Sequence, residues 1–301
     1  MTNPQANPED VKNNWLVRYI GVQKVYDQKV MKALQEAAVD AAAAAEKYDG
    51  KTNISSKVAN QQLRMVRNEI RKVIKDLFKG LVPIIESGQK DAAEAAAKAA
   101  IKHDQDLMEL LFPNPKERKQ FEASFKEAAR QNIKAMINRV LSPQWPLSER
   151  IWKSGSLASG QIDRKINSAI ARGSSAKQLA AIVKSDIQFG APGGTSYCAM
   201  RLARTEINNA FHAQSIGNAQ ESPWVSEMEW HLSLSHEEQN CFCEYYAEEQ
   251  FFEIGDVPPK PHPQCMCYVT PVSIGYNNFA EQLEAGDFDK YFEEKYGMPA
   301  A

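Results

Sequence analysis

From residue 10 to residue 141, apolar side chains recur at helical spacing almost throughout, which commits nearly half of the chain to α-helix. A period of 3.6 cannot serve a strand, so this half must bury helix stripes against other helices. Alanine-rich runs at 37–45 and 92–100 add intrinsic helix propensity. Gly, Ser and Pro cluster at 50–56, 80–83, 113–115 and 142–146, so breaks are expected there and four long helices or hairpins result. The two alanine-rich stretches are not copies of one another, and no period of 20–50 residues marks a solenoid. With 301 residues, 43% of them hydrophobic and 25% charged, the chain can bury a real core, most economically as two domains. That composition excludes collagen-like and wholly disordered classes. No segment approaches about 18 consecutive apolar residues and positions 1–14 are polar, so neither a spanning helix nor a secretory signal is expected, and no membrane partner.

A near-neutral total conceals a division of charge. Residues 1–204 hold 33 Lys and Arg against 21 Asp and Glu, whereas 205–301 hold 3 against 17. Such asymmetry reads as two surfaces with different partners, a polyanion on one side and a basic protein on the other, or as two solvated faces. One predicted helix concentrates the positive charge. Leu63, Val66, Ile70, Val73, Ile74 and Leu77 share one side of it, and Arg64, Arg67, Arg71, Lys75 and Lys79 run along the flank. Cations one turn apart can track a nucleic-acid backbone without reading sequence; an ordinary solvated helix face is the competing reading, since no aromatic residues interleave to stack on bases.

Smaller, less charged helices are expected at 157–172 and 175–187, the second capped by Ser174 or Ser175, followed by a Gly/Pro loop at 190–194. The loop feeds a helix at 197–216. On it Ala203, Ile207, Ala210, Phe211 and Gln214 share one side, while Arg201, Arg204, Thr205, Asn208 and His212 line the other. An ordered polar stripe beside a small-residue seam suits the anchoring of an adjacent loop, of the same chain in preference to a partner. Beyond residue 217 the pattern changes. Strands are expected at 227–234 and 266–270, around a polar, acidic, Pro-rich excursion. The final stretch, 277–296, sets Phe279, Leu283, Phe288, Tyr291 and Phe292 among acids and reads as a short amphipathic tail, a candidate docking peptide. The fold class is therefore mainly α, with long N-terminal helices, a middle of smaller helices and a small α+β Cys/His module near the C-terminus. Boundaries fall at 1–145, 146–219, 220–275 and 276–301.

Four of the five cysteines crowd into two C-x-C units, Cys241/Cys243 and Cys265/Cys267, with 21 residues between them. His262 stands three before Cys265 and His236 five before Cys241. In extended backbone a C-x-C directs both sulfurs to one side, and a set of four thiolate and imidazole ligands suits tetrahedral Zn²⁺. A small acidic segment with few apolar residues has little else to hold it folded. Reduced free thiols or a disulfide are the alternatives, because the usual zinc unit is C-x-x-C. Catalytic arrangements fail on spacing. A deaminase needs H-x-E and P-C-x-x-C, where this chain offers His236-Glu237 and Pro263-Gln264-Cys265-Met266-Cys267. H-E-x-x-H, G-x-S-x-G, Walker A and G-x-G-x-x-G are absent from the sequence, so a non-enzymatic role is expected.

The segments Ala199-Met-Arg-Leu-Ala-Arg-Thr-Glu206, Asn208-Asn-Ala-Phe-His-Ala213, Trp230-His-Leu-Ser, Cys243-Glu-Tyr-Tyr-Ala247 and Pro258-Pro-Lys-Pro-His-Pro-Gln-Cys-Met-Cys267 resemble the minor head proteins of tailed bacteriophages, the Mu F-like head morphogenesis family. The resemblance covers about residues 147–271; an R-T-E helix followed about 60 residues later by H-P-x-C-x-C is its most specific part. It implies a structural virion protein present in few copies, at the portal vertex and head interior, acting in head morphogenesis and in DNA packaging or ejection. Portal protein and major capsid protein are the implied partners, genomic double-stranded DNA a further one through the basic stripe, and host cytoplasm the place of assembly. Many members carry C-x-x-C as the first ligand pair, and here Cys243-Glu-Tyr-Tyr-Ala fits the family segment better than Cys241 does. The resulting metal set is Cys243, Cys265 and Cys267 with His262 or His236, Cys241 in reserve and Zn²⁺ as the ion. Arg201, Arg204 and Glu206 are carried over as structural motif residues, Arg204 and Glu206 locking their helix against the Cys/His segment.

Overall fold

The computed structural model describes residues 8–47, 56–103, 146–189, 193–234, 236 and 241–296, with isolated positions between 114 and 131. Among them are eight helices and three strands: α1 (Pro8–Glu46), α2 (Ser56–His103), α3 (Leu147–Ala171), α4 (Ala176–Phe189), α5 (Thr195–Gln220), β1 (Val225–His231), α6 (Phe242–Glu249), β2 (Phe251–Glu253), β3 (Tyr268–Ser273), α7 (Tyr276–Glu284) and α8 (Asp289–Tyr296). The mainly helical class with a small sheet near the C-terminus follows directly. The chain divides into two compact units, each assembled from separate stretches: Met1–Gln23, Gln89–Met136 and Ile207–Ala301 in one, Lys24–Gly88 and Ile137–Glu206 in the other. These units cut across the four segments read from the sequence, because α1, α2 and α5 each supply residues to both.

In the second of these units the apolar stripes close on one another. Val30, Leu34, Ile70, Ile74, Leu81, Ile85, Ile162, Ile166, Leu179 and Val183 are all fully buried in one cluster. Helix α2 runs unbroken through 80–83, where a break was expected, with Pro83 inside it. Proline there removes a backbone donor and crowds the carbonyl four residues earlier, at a cost of about 3 kcal/mol. Burial of Phe78, Leu81 and Ile85 on the same stripe offsets that cost. The short helix α4 begins as its sequence prescribes. Ser175 Oγ accepts from the backbone N–H of Gln178 at 3.3 Å, and Gln178 Oε1 accepts from that of Ser175 at 2.8 Å, a reciprocal capping box. Buried Asp186 on α4 is held by Lys165 and by Thr195 Oγ1. The breaks expected at 50–56 and 142–146 lie mostly outside the described residues, as does most of 104–145.

The other unit combines the first turns of α1, the alanine-rich end of α2, the second half of α5 and everything after it. Small side chains at Ala92, Ala93, Ala96, Ala97, Ala99 and Ala100 are buried. Trp15 Nε1 donates to Ser215 Oγ at 3.4 Å, Asn14 Nδ2 to the Ala99 carbonyl at 3.2 Å, and the His103 ring meets Trp15 edge-on. The sheet is antiparallel in order β2-β1-β3, with Met228 opposite Phe252 on one side and Pro271 on the other. An irregularity between Val225 and Glu227 re-aims the start of β1. Strand β2 carries no alternation long enough to be read from sequence.

The C-terminal tail is not a free docking peptide. Its aromatic face is occupied within the same unit: Phe279 is fully buried, stacked on Phe288 at 5.2 Å and edge-on to Trp224 at 6.0 Å, and Tyr291 Oη donates to the Glu221 carbonyl at 2.7 Å. Phe279→Ala is therefore expected to lower stability by about 3–5 kcal/mol, read by denaturant unfolding of the full chain. A loosely attached peptide would leave the unfolding midpoint where it was.

Candidate metal centre

The Cys/His residues converge on one point. Cys243 sits in the first turn of α6, fully enclosed, and Cys241 caps that helix, its sulfur accepting from the Cys243 N–H at 3.3 Å. Cys265 and Cys267 lead into β3 and are 1% exposed. The approach to them is a tight turn, with the Cys265 N–H reaching back to the His262 carbonyl at 3.3 Å. Pro263 supplies the fixed φ of its first corner and Gln264 stands at φ 62 in the second, where glycine is usual. This turn swings Cys265 toward Cys243.

Cys243 Sγ lies 3.5 Å from Cys265 Sγ and 3.4 Å from His262 Nε2. Cys243, Cys267 and His236 offer ligand atoms all within 4.8 Å of one another, and so do Cys241, Cys243 and His262. Metal–ligand bonds of about 2.3 Å to sulfur and about 2.0 Å to nitrogen, set tetrahedrally, place neighbouring donors about 3.5–3.8 Å apart. The spacings suit that geometry, and the group could hold a metal ion. The imidazole is also oriented for it. His262 Nδ1 faces the Pro263 carbonyl at 3.0 Å, and since a carbonyl only accepts, Nδ1 is the donor there and Nε2 is the nitrogen turned toward Cys243.

The three thiols are electrostatically one unit. Cys243 and Cys267 donate toward the Cys265 sulfur and hold Cys265 far below the ordinary thiol range, while Cys243 is driven up by Cys265, Cys267 and burial. Negative charge is thus directed to the Cys265 sulfur, with Cys243 and Cys267 both raised beside it.

The backbone of the knuckle is gripped from three directions. The Cys265 carbonyl accepts from Asn208 Nδ2 at 2.9 Å, Lys260 Nζ at 3.0 Å and Tyr19 Oη at 3.4 Å. Lys260 also donates to the Cys267 carbonyl at 2.6 Å and to Tyr19 Oη at 2.9 Å, its ammonium 4.9 Å over the Tyr19 ring. Burial lowers Lys260 to about 8, with the surrounding sulfurs acting the other way. Asn208 is itself held by Gln23. One turn later His212 Nε2 donates to the Pro258 carbonyl at 3.0 Å. Tyr19, Gln23 and Lys260 were not read from the sequence as site residues; Lys260 had one signal, being the single Lys or Arg between Arg204 and Lys290.

The polar stripe of α5 is divided between partners. Asn208 and His212 make the lock onto the Cys/His segment that the sequence reading gave to Arg204 and Glu206. Arg204 forms a two-pronged pair with Asp27 (2.7 and 3.0 Å), and buried Glu206 one with Arg150 (2.7 and 2.9 Å), tying α5 to α1 and α3. Arg201 is exposed, 5.9 Å over the Tyr197 ring.

Of the basic stripe on α2, Arg64, Lys75 and Lys79 are exposed and Arg67 is half-buried. Arg71 is engaged by Asp163 through Nε at 2.8 Å and Nη2 at 2.6 Å, which raises its pKa. Its apolar neighbours Val66, Ile70, Ile74 and Leu77 are buried. No described helix is long and apolar enough to cross a membrane. The fold and site define a mainly helical protein bearing a buried Cys/His centre. No family model, curated protein or solved structure matches the chain.

Lys260→Met should weaken metal retention 10–100-fold, because it strips a donor from both ligand-bearing carbonyls and leaves every ligand in place. Competition against a chromophoric chelator measures it. Equal retention by variant and wild type would show that the ammonium is irrelevant to the centre.

Proposed function

We propose that this chain is a structural, non-enzymatic minor head protein of a tailed bacteriophage, placed at the portal vertex or head interior, whose Cys/His centre is a zinc staple. The observation that carries the reading is how the segments resembling that family meet in space. Asn208, two residues beyond the R-T-E, grips Cys265 of the H-P-Q-C-M-C segment. His212 of α5 lies edge-on to Trp230 at 5.7 Å, and Trp230 edge-on to Tyr246 of the C-E-Y-Y segment at 5.1 Å. Motifs far apart in sequence form one packed constellation.

The chemistry of the centre supports a structural use of metal. Cys243, Cys265, Cys267 and His262 supply four protein ligands, the complement of a closed site, with the sulfurs buried. Thiolate-rich donor sets favour Zn²⁺ over hard cations. When bound, the ion would supply cross-linking of α6 to the 262–267 turn, and Asn208, Tyr19 and Lys260 would set the turn's position.

Two measurements test this reading. Cryo-electron microscopy and mass spectrometry of mature particles should find the chain at the portal vertex or within the head, and its deletion should abolish infectious particles. Normal titres without it, with no copy in virions, overturn the proposal; a chain present in precursor heads and lost on maturation would make it an internal scaffolding protein instead.

A nucleic-acid role is favoured by one observation, the exposure of Arg64, Lys75 and Lys79 along one helix. Neutralising these three should reduce the log–log salt slope of DNA binding by about 3. An unchanged slope would assign the stripe to solvent.

A further inference from the structure

The four-ligand centre leaves two soft donors over. Cys241 Sγ lies 3.7 Å from His236 Nε2, and the same ring nitrogen lies 3.6 Å from Glu244 Oε1. Both separations fit neighbouring corners of one coordination shell, about 3.5 Å apart for sulfur, nitrogen and oxygen donors. The pair adjoins the buried centre through Cys243. Cys243 Sγ is common to both triads, lying within 4.8 Å of His236 and Cys267 in one and of Cys241 and His262 in the other, so each leftover donor also borders one ligand of the buried centre. A thiolate has lone pairs enough to serve two cations at once.

Local structure fixes the position of Cys241. Its sulfur already accepts a backbone N–H at the first turn of α6. The sequence Cys241-Phe-Cys243-Glu244 turns both sulfurs and the carboxylate toward His236. Exposure differs from that of the buried centre: the Glu244 side chain is 40% exposed and that of His236 13%.

We infer that His236, Cys241 and Glu244, with Cys243 as a shared thiolate, form a second transition-metal site for an ion of the Zn²⁺ class. The inference rests on the reading of Cys243, Cys265, Cys267 and His262 as the first. Four thiolates and one carboxylate then face two dications and the Lys260 ammonium, so the donors' charge is balanced. The outer ion is the more exchangeable, being reached from solvent through Glu244.

The full-length chain, purified with excess Zn²⁺ and freed of unbound ion by gel filtration, should carry about two zinc per chain by elemental analysis. Cys241→Ser combined with Glu244→Gln should reduce this to about one and preserve the zinc-dependent part of the thermal transition, since serine retains the helix cap. Titration with Co²⁺ should show thiolate-to-metal absorption growing over two equivalents in wild type and one in the double variant. One zinc in the wild type removes the outer ion and leaves the staple standing; two zinc in the double variant place the second ion elsewhere and overturn the site. No zinc in the wild type removes both.

Discussion

The carbonyl oxygen of Cys265 is where the unit that holds the Cys/His centre is decided. It accepts from Asn208 on α5, Tyr19 on α1 and Lys260 in the Pro-rich excursion. A buried carbonyl that lost these donors would cost about 1–3 kcal/mol, and a lysine ammonium without acceptors considerably more. The arrangement is mutually obligatory: the knuckle needs the helices to satisfy its backbone, and the half-buried Lys260 needs the knuckle's carbonyls as acceptors. Ligand geometry at the sulfurs follows from backbone held in this way. A metal would tighten an arrangement whose parts already constrain one another.

The same division of labour recurs along α5. Within three residues the helix passes from Glu206, paired to Arg150, to Asn208, bonded to Cys265. Buried ion pairs such as Arg150–Glu206 lose about 3–5 kcal/mol when one partner is removed, because a charge is left without its complement. The R-T-E segment and the residues just after it thus face different neighbours. Arg204, Glu206, Asn208 and His212 are each committed to a neighbouring segment.

Helix periodicity made most of the fold legible. The stripe from Leu63 to Leu77, the Ser175 cap and the inward face Ala203–Ile207–Ala210–Phe211 stand as read, since each depends on local spacing and burial. Proline at 83 misled because its local penalty is set against burial of Phe78 and Leu81, visible only in three dimensions. The tail misled for the opposite reason: an amphipathic pattern shows that a face will be covered and does not say by what, and Trp224 covers it. At the site the cysteines and histidines were legible from spacing. Tyr19 was not, standing 246 residues from Cys265 on a helix whose pattern only marks it as inward. Lys260 offered only its isolation in an acidic loop as a signal, whereas its ammonium is bonded to the carbonyls of Cys265 and Cys267.

The division of the chain has a consequence for its synthesis. Trp15 and Tyr19 are made early, yet their hydrogen-bond partners Ser215 and Cys265 follow 200 and 246 residues later. At about 5–20 residues per second, these aromatic rings wait some tens of seconds on the ribosome before their unit can close. The stretches 24–88 and 137–206 are made by then, 59 residues and about 3–12 seconds ahead of Cys265. During that interval Trp15 and Tyr19 lack these partners, and chaperones, or a neighbouring copy, have access to them.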